Sequence, residues 1–412
     1  MKYVVDDKIA LSRAPEGPLK AHIRPFARIL HEQGYSLYSI HRHVLLAACF
    51  SLWLKRKGVG LRRITSDHPV QYLRRRARHS RLWAGDASAL NRLLDFMRRE
   101  GVIPTKRTRT GRLIPTERCT QAYEHYLREA RGLAEATIVY YVRFARSFLK
   151  YRFGDGPVTL SHLRAADITR FVQLQAHHLH IRQAKLLTTA LRSFLQYARY
   201  QGKLTLDLVG AVPVVANWSM SSIPRAIAPD QVRRLLVSVD RRTALGRRDY
   251  AILLLLARLG LRSGEVVSLE LDDIDWNAAQ LTVRGKSGER SELPLPADVG
   301  RAIVEYLKRG RPDSTSRRVF LRVKAPIRGF RGASGVGSIV RHCLQRAGVD
   351  APTFGAHQFR HGLATEMLHQ GASLSEIGDL LGHRSPETTK IYTKVDLDAL
   401  RTLALPWPGG GQ

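Results

Sequence analysis

The chain has 412 residues, long enough for two or three domains, and its 44% apolar content allows each of them a core. Its 67 Lys and Arg against 35 Asp and Glu leave a formal charge of +32, a self-repulsion that needs an extended polyanionic partner, with nucleic acid first in line. A membrane is the competing polyanion, but the longest apolar run, read as Ala251 to Leu261, is too short to span and contains Arg258.

The opening MKYVVDDKIA places acids where a secretory signal needs an apolar stretch, so a cytoplasmic protein is expected. Cys49, Cys119 and Cys343 are scattered and odd in number, which argues against a disulfide framework or a cysteine zinc site and for core thiols. Two Pro-bounded, polar segments, 104–116 and 207–225, read as linkers. They divide the chain into an extra N-terminal helical unit at 1–103, a second helical unit at 117–206, and a third piece at 226–412.

The first two pieces look like copies of one helical unit. GYSLYSIHRHV from Gly34 parallels GLAEATIVYYV from Gly132, matching Ile40 and Val44 to Ile138 and Val142 and continuing to Phe50 and Phe148. NRLLDFMRREG (Asn91 to Gly101) parallels RSFLQYARYQG (Arg192 to Gly202), each an amphipathic helix stopped by glycine. Residues 1–114 hold 24 Lys and Arg against 8 Asp and Glu, with the densest runs at Arg74 to Arg81 and Lys106 to Arg112. So one-sided an excess suits phosphate contact better than a merely solvated face.

The third piece opens with a helix from Pro229 and Asp230, followed by the apolar DYAILLLLARLGLRSGE, a buried helix that ends near Arg262. Leu281 and Val283, then Leu293 and Leu295, alternate with polar residues around GKSG and predict a hairpin with Lys286 at its tip. Ser373 and Glu376 form a capping-box pattern for a helix stopped by Gly382, and Ser385 with Pro386 starts another. The expected fold class is therefore mainly α with a small antiparallel β-sheet, multidomain, with an α+β domain at the C-terminal end.

Within this frame Arg262, Lys286, His357, Arg360, His383 and Tyr392 form a set suited to phosphodiester chemistry. Arg262 and Arg360 are planar forks for bidentate phosphate binding. His357 and Arg360 lie three apart on a helix whose core face is Ala356, Phe359, Leu363 and Met367, so both point to one side. His383 follows a glycine stop, and Tyr392 offers a phenol whose pKa of about 10 makes a phosphotyrosine bond reversible. Lys286 is long enough to protonate a leaving 5′ oxygen, and Glu265 can orient an arginine or a histidine. His357 and His361 have the i, i+4 spacing of a zinc helix, but Gln358 stands where such a site needs its glutamate. His177, His178 and His180 read as surface residues near a helix end.

The stretches LGLRSGEVVSLELDDID, GKSGERSELPLP, HQFRHGLAT and LLGHRSPETTKIYTK resemble the tyrosine recombinase (phage integrase) family over about 226–400, and more loosely over 117–206. The resemblance implies a catalytic domain at 226–412 preceded by a core-binding (SAM-like) helical domain. It also implies that Arg262, Lys286, His357, Arg360 and His383 surround a phosphate, with Tyr392 as nucleophile. The implied activity is site-specific DNA recombination through a covalent 3′-phosphotyrosyl intermediate, serving integration or transposition, with no cofactor, metal or ATP. The implied partner is double-stranded DNA, bound by a homotetramer on two sites, in some systems with related recombinases, and no membrane is expected. The apolar stretch Thr393 to Pro408 suits either packing back onto its own domain or joining protomers; the resemblance implies the second, because in relatives the segment after the tyrosine passes to a neighbouring protomer. The roughly 110 N-terminal residues depart from the family pattern. A catalytically silent DNA-binding subunit of a recombination complex is the alternative kept at this point.

Overall fold

The computed structural model describes residues 3–6, 9–104, 114–215, 225–285, 290–383 and 385–395. Residues 1–105 and 222–412 gather into one compact unit and residues 106–221 into another.

In the first unit, β1 (Tyr3–Asp6) and β2 (Ile9–Leu11) pair antiparallel ahead of four helices, α1 (Ile23–Glu32), α2 (Leu37–Arg56), α3 (Asp67–Ala77) and α4 (Asp86–Arg99). Ser36 caps α2, its hydroxyl accepting from the Ser39 N–H at 3.3 Å. Ile40, Val44, Phe50 and Leu54 from α2 pack with Phe26, Leu30, Leu93 and Met97 in a separate N-terminal core. By length and composition α2 could cross a membrane, which the sequence reading overlooked when it took Ala251 to Leu261 as the longest apolar run. Its buried residues instead supply the centre of a helical bundle, and a bundle core helix has the same composition as a span.

The second unit contains α5 (Pro115–Glu129), α6 (Glu135–Phe153), α7 (Ala165–Ala176) and α8 (Ile181–Tyr200), closed around Tyr123, Ile138, Phe148, Phe171, Leu191 and Phe194. Its element order repeats that of the N-terminal bundle, including a short 3-10 turn after the second helix: Leu61–Arg63 in one, Leu160–His162 in the other. The residues matched in sequence, Ile40 and Ile138, Val44 and Val142, Phe50 and Phe148, are all buried.

The remainder of the first unit runs α9 (Pro229–Val237), α10 (Ala244–Arg258), α11 (Ser263–Ser268), β3 (Ile274–Asp275), β4 (Gln280–Arg284), β5 (Arg290–Pro294), α12 (Ala297–Arg309), α13 (Ser334–Arg346), α14 (His357–His369), α15 (Leu374–Leu381) and α16 (Pro386–Thr389), ending in a 3-10 turn, Lys390–Val395. The sheet is antiparallel in the order β3-β4-β5, with Leu281 opposite Leu293 and both buried. The chain is thus mainly α-helical with small antiparallel sheets, as expected from the sequence. Helix α10 is buried along Ala251 to Leu256 and is the hub against which α12 and α14 pack.

The approach to α14 depends on a glycine. The Ile227 N–H donates to the Gln358 carbonyl at 3.3 Å, and a Cβ at Gly362, one turn further along the helix, would lie 2.8 Å from the Ile227 carbonyl oxygen. Backbone cannot yield as a side chain can, so Gly362→Ala is expected to destabilise the fold by about 1–3 kcal/mol, the usual cost of overpacking. A drop in Tm of the purified variant checks this, and an unchanged Tm contradicts it.

Candidate active site

The turn after α10 sets the first arginine. Gly260 adopts φ +59° and a Cβ there would meet Leu381 Cδ2 at 2.9 Å, so the chain reverses here only because the residue is glycine. Arg262 then lies extended (φ −71°, ψ 147°) as the N-cap of α11, rather than at the end of the preceding helix. Glu265, one turn in and buried, accepts from the Arg262 N–H and from Arg262 Nη1, both at 2.7 Å. One carboxylate therefore satisfies an orphan N–H of the helix start and fixes the guanidinium. Of the two partners proposed for Glu265, the geometry selects the arginine.

Arg360, on the first turn of α14, is 5% exposed. Its Nη1 donates to the Gly260 carbonyl at 2.9 Å and its Nη2 to the Leu381 carbonyl. Arg262 Nη2 reaches the neighbouring Gly382 carbonyl at 3.4 Å. The two guanidinium groups thus lie on the carbonyl end of α15, where unsatisfied oxygens and the helix dipole favour cations. Burial, and then the Arg262 charge, pull Arg360 from its ordinary value down to about 10, so it remains cationic at neutral pH.

Helix α15 ends in a Schellman motif: Gly382 is left-handed (φ 57°), its N–H bonds to the Asp379 carbonyl, and the His383 N–H bonds to the Gly378 carbonyl at 2.8 Å. That geometry turns the His383 ring back toward the arginines. His383 Nδ1 meets Thr389 Oγ1 at 2.8 Å. Burial, followed by the Arg360 and Arg262 charges, pushes the imidazole down to about 4, so it is neutral at pH 7. A cleft of about 270 Å³ brings together Arg262, Glu265, Arg360 and His383 with Val283, Gly285, Ser291 and Leu293 from the hairpin.

Tyr392 lies in the closing 3-10 turn, 1% exposed, in a small apolar cluster with Ala364, Ile377 and Leu381. Its ring is parallel to that of His383, with centroids 6.4 Å apart at 3°. Its hydroxyl is 3.0 Å from Nδ1 of His361. Burial raises the phenol above its ordinary value, opposed by Arg360 and then Arg262.

Of the six residues expected from the sequence, Arg262, Arg360, His383 and Tyr392 converge around α14, α15 and the turns that follow Gly260 and Gly382. His357 heads α14 and is exposed, with its ring 6.5 Å from that of His361. Lys286 lies outside the described residues, although Gly285 beside it in sequence lines the cleft. The apolar tail after the tyrosine lies outside them from residue 396 on. Sequence reasoning passed over His361, which it considered only as a zinc partner of His357; the signal available was its position next to Arg360. It also passed over Thr389, a buried hydroxyl whose role depends on a fold-back of six residues onto His383.

Comparison with known proteins gives the family. Residues 225–398 match the model of the phage integrase family, and residues 120–202 that of the phage integrase N-terminal SAM-like domain. The chain is 59% identical over 412 residues, the full length of both chains, to "Putative integrase/recombinase y4rA" of Sinorhizobium fredii (strain NBRC 101917 / NGR234). It is 30% identical over 276 residues to the tyrosine recombinase XerD of Listeria monocytogenes serotype 4b (strain F2365), covering 66% of this chain and 92% of the relative. In fold it is similar to the XerH site-specific recombinase, solved with palindromic difH substrate in a post-cleavage complex, with a TM-score of 0.57 at 20% identity over 70% of this chain and 84% of that one. From the family matches and the full-length relative together, the chain belongs to the phage integrase family, the tyrosine recombinases, enzymes that break and rejoin DNA strands.

Proposed function

We propose that this protein is a site-specific DNA recombinase that cleaves and reseals strands through a covalent 3′-phosphotyrosyl intermediate at Tyr392, serving the integration or transposition of a mobile element. The observation that carries this reading is a cleft lined by two arginines and a neutral imidazole, with the buried Tyr392 phenol beside it, its ring parallel to that of His383. Arg262 and Arg360 hold the non-bridging oxygens and stabilise the charge of the pentavalent transition state. His383 and His357 add hydrogen bonds to the phosphate. Lys286 protonates the departing 5′ oxygen. Phosphotyrosine conserves the bond energy, so resealing needs no ATP.

Electrostatics support the same reading. The cleft has two guanidinium groups and one carboxylate, Glu265, so it is short of negative charge until an anion enters. A phosphodiester supplies that charge beside two arginines that are already cationic at neutral pH. The retention of this set weighs against the silent DNA-binding subunit. The partner is double-stranded DNA, the acting species a homotetramer on two sites, and the location the cytoplasm.

The N-terminal bundle is proposed as a duplicated, core-binding-like DNA-binding unit. Its shared element order with α5–α8 and its share of the positive charge support this. So does an exposed patch in which the Arg42 guanidinium lies 4.0 Å from the Trp83 ring centre and 6.0 Å from that of Tyr38, with both rings more than half exposed. Stacked cations and aromatics are suited to nucleic acid.

Three outcomes are expected. Tyr392→Phe keeps DNA affinity and forms no denaturation-resistant protein–DNA adduct, checked by trapping cleaved DNA from the wild type, sequencing its ends and offering a nicked duplex of that site to both proteins. An adduct in the variant would sink the assignment. Wild-type cleavage persists in EDTA without ATP, whereas Arg262→Ala slows it roughly 10²–10³-fold, as for other donors to transition-state charge. A strict divalent-ion requirement, or a near-normal rate in the variant, contradicts this. Replacing the exposed Arg74, Arg75 and Arg78 together with alanine flattens the plot of log affinity against log salt by about 0.9 for each phosphate that is no longer neutralised. An unchanged slope means that the bundle binds something other than DNA.

A further inference from the structure

We propose that His361 is the proton acceptor that converts Tyr392 into a nucleophile, a role that rests on the phosphotyrosyl reading above and adds a residue to it. The geometry is direct. His361 Nδ1 lies 3.0 Å from the Tyr392 hydroxyl, with the rings inclined at 59° and their centroids 5.7 Å apart. The other imidazoles are differently engaged. His383 lies parallel to the tyrosine ring and has its Nδ1 against Thr389, while His357 is exposed at the head of α14, one turn from His361.

Position favours the role as well. His361 follows Arg360, whose guanidinium ties α14 to the carbonyls of Gly260 and Leu381, so the base is held by the same backbone that holds the phosphate clamp. Among the described residues, the groups facing the His361 ring are His357 and Arg360 on its own helix, Tyr392 from the closing turn, and His383 from the loop after α15. Burial first, then His357 and Arg360, hold its pKa below the ordinary histidine value. At pH 7 it is therefore neutral, and with its proton on Nε2 it presents a lone pair at Nδ1 to the phenol.

In the forward step the Tyr392 oxygen forms a bond to phosphorus while its proton passes to His361 Nδ1. The bond from phosphorus to the 5′ oxygen breaks, and the electron pair leaves on that oxygen, which takes a proton from the acid assigned to Lys286. In resealing, the 5′ oxygen bonds to phosphorus as its hydroxyl proton returns to the amine assigned to Lys286, the bond from phosphorus to the Tyr392 oxygen breaks, and the imidazolium of His361 gives its proton to the departing phenolate. The same residue acts as base in one direction and acid in the other.

The test uses the full-length protein and the nicked duplex described above. His361→Asn retains a polar atom near the Nδ1 position but cannot accept the proton. It is expected to bind DNA and melt as the wild type does, and to form the adduct about 10²-fold more slowly at neutral pH. The deficit should shrink as pH rises toward the phenol's own ionisation. It should persist on a duplex with a 5′-bridging phosphorothiolate, whose thiolate leaves without a proton. A wild-type rate, or a deficit of the same size at every pH, overturns the proposal. If the variant does not fold, the ¹⁵N resonance of His361 Nδ1 in the wild type decides: it should be that of a hydrogen-bonded acceptor and move when Tyr392→Phe removes the hydroxyl. An unmoved resonance overturns the proposal. Adduct formation by Tyr392→Phe would instead overturn the phosphotyrosyl reading itself, so the two failures are distinguishable.

Discussion

A buried guanidinium, that of Arg360, is the constraint from which the rest of the site follows. Placing a cation in the interior costs several kcal/mol unless its donors are met, and here they are met by backbone carbonyls from two distant segments, Gly260 and Leu381. Those bonds fasten the turn after α10, the first turn of α14 and the last turn of α15 to one another. Three further groups are positioned by their place in the chain relative to that junction. Arg262 begins the next helix beyond Gly260, His383 follows the residue after Leu381, and His361 is the next residue after Arg360 itself.

The two glycines beside this junction have complementary tasks. Gly260 takes a left-handed conformation where a side chain would strike Leu381 and Leu363, which lets the carbonyl approach Arg360. Gly382 ends α15 in the left-handed conformation that leaves the Leu381 and Gly382 carbonyls directed at the arginines rather than at a following turn. Backbone of this kind gives rigidity without adding negative side chains. Only Glu265 among the groups lining the cleft carries a formal negative charge, and its oxygens are engaged by Arg262. The cleft thus remains electropositive, and the phenol of Tyr392 sits close enough to both arginines for their charges to oppose the effect of its burial.

The N-terminal bundle is organised differently. Its core is closed by Ile40, Val44, Phe50 and Leu54; some of its cations have partners inside the bundle, as Arg76 has the Tyr72 hydroxyl and Arg92 has His43, while Arg74, Arg75 and Arg78 are exposed. The bundle nevertheless belongs to the same compact unit as residues 222–412, and the Ile327 N–H donates to the Gln33 carbonyl at 2.9 Å beside Gly34, where a Cβ would lie 2.5 Å from Ile327 Cγ1.

Local chemistry was legible in the sequence because it depends on short-range spacing. The capping box of Ser373 and Glu376, the glycine stop at 382, the alternating Leu281, Val283 and Leu293, and the apolar run of α10 all lie within a turn or a hairpin of their own causes. The mainly helical fold class followed from such patterns, and the expectation that Arg262, Arg360, His383 and Tyr392 share one site followed from their residue types, their order along the chain and a family resemblance. Other features depended on separations that spacing does not encode. Glu265 could be assigned to an arginine or a histidine until the N-cap geometry of α11 chose Arg262. His361, considered in the sequence only within a zinc spacing that Gln358 argued against, gained a partner when the closing turn brought a hydroxyl from 31 residues away to its Nδ1. Sequence determined which groups were present and which helices carried them; tertiary structure decided which groups meet, because a contact between segments depends on how buried faces pack and where the backbone reverses.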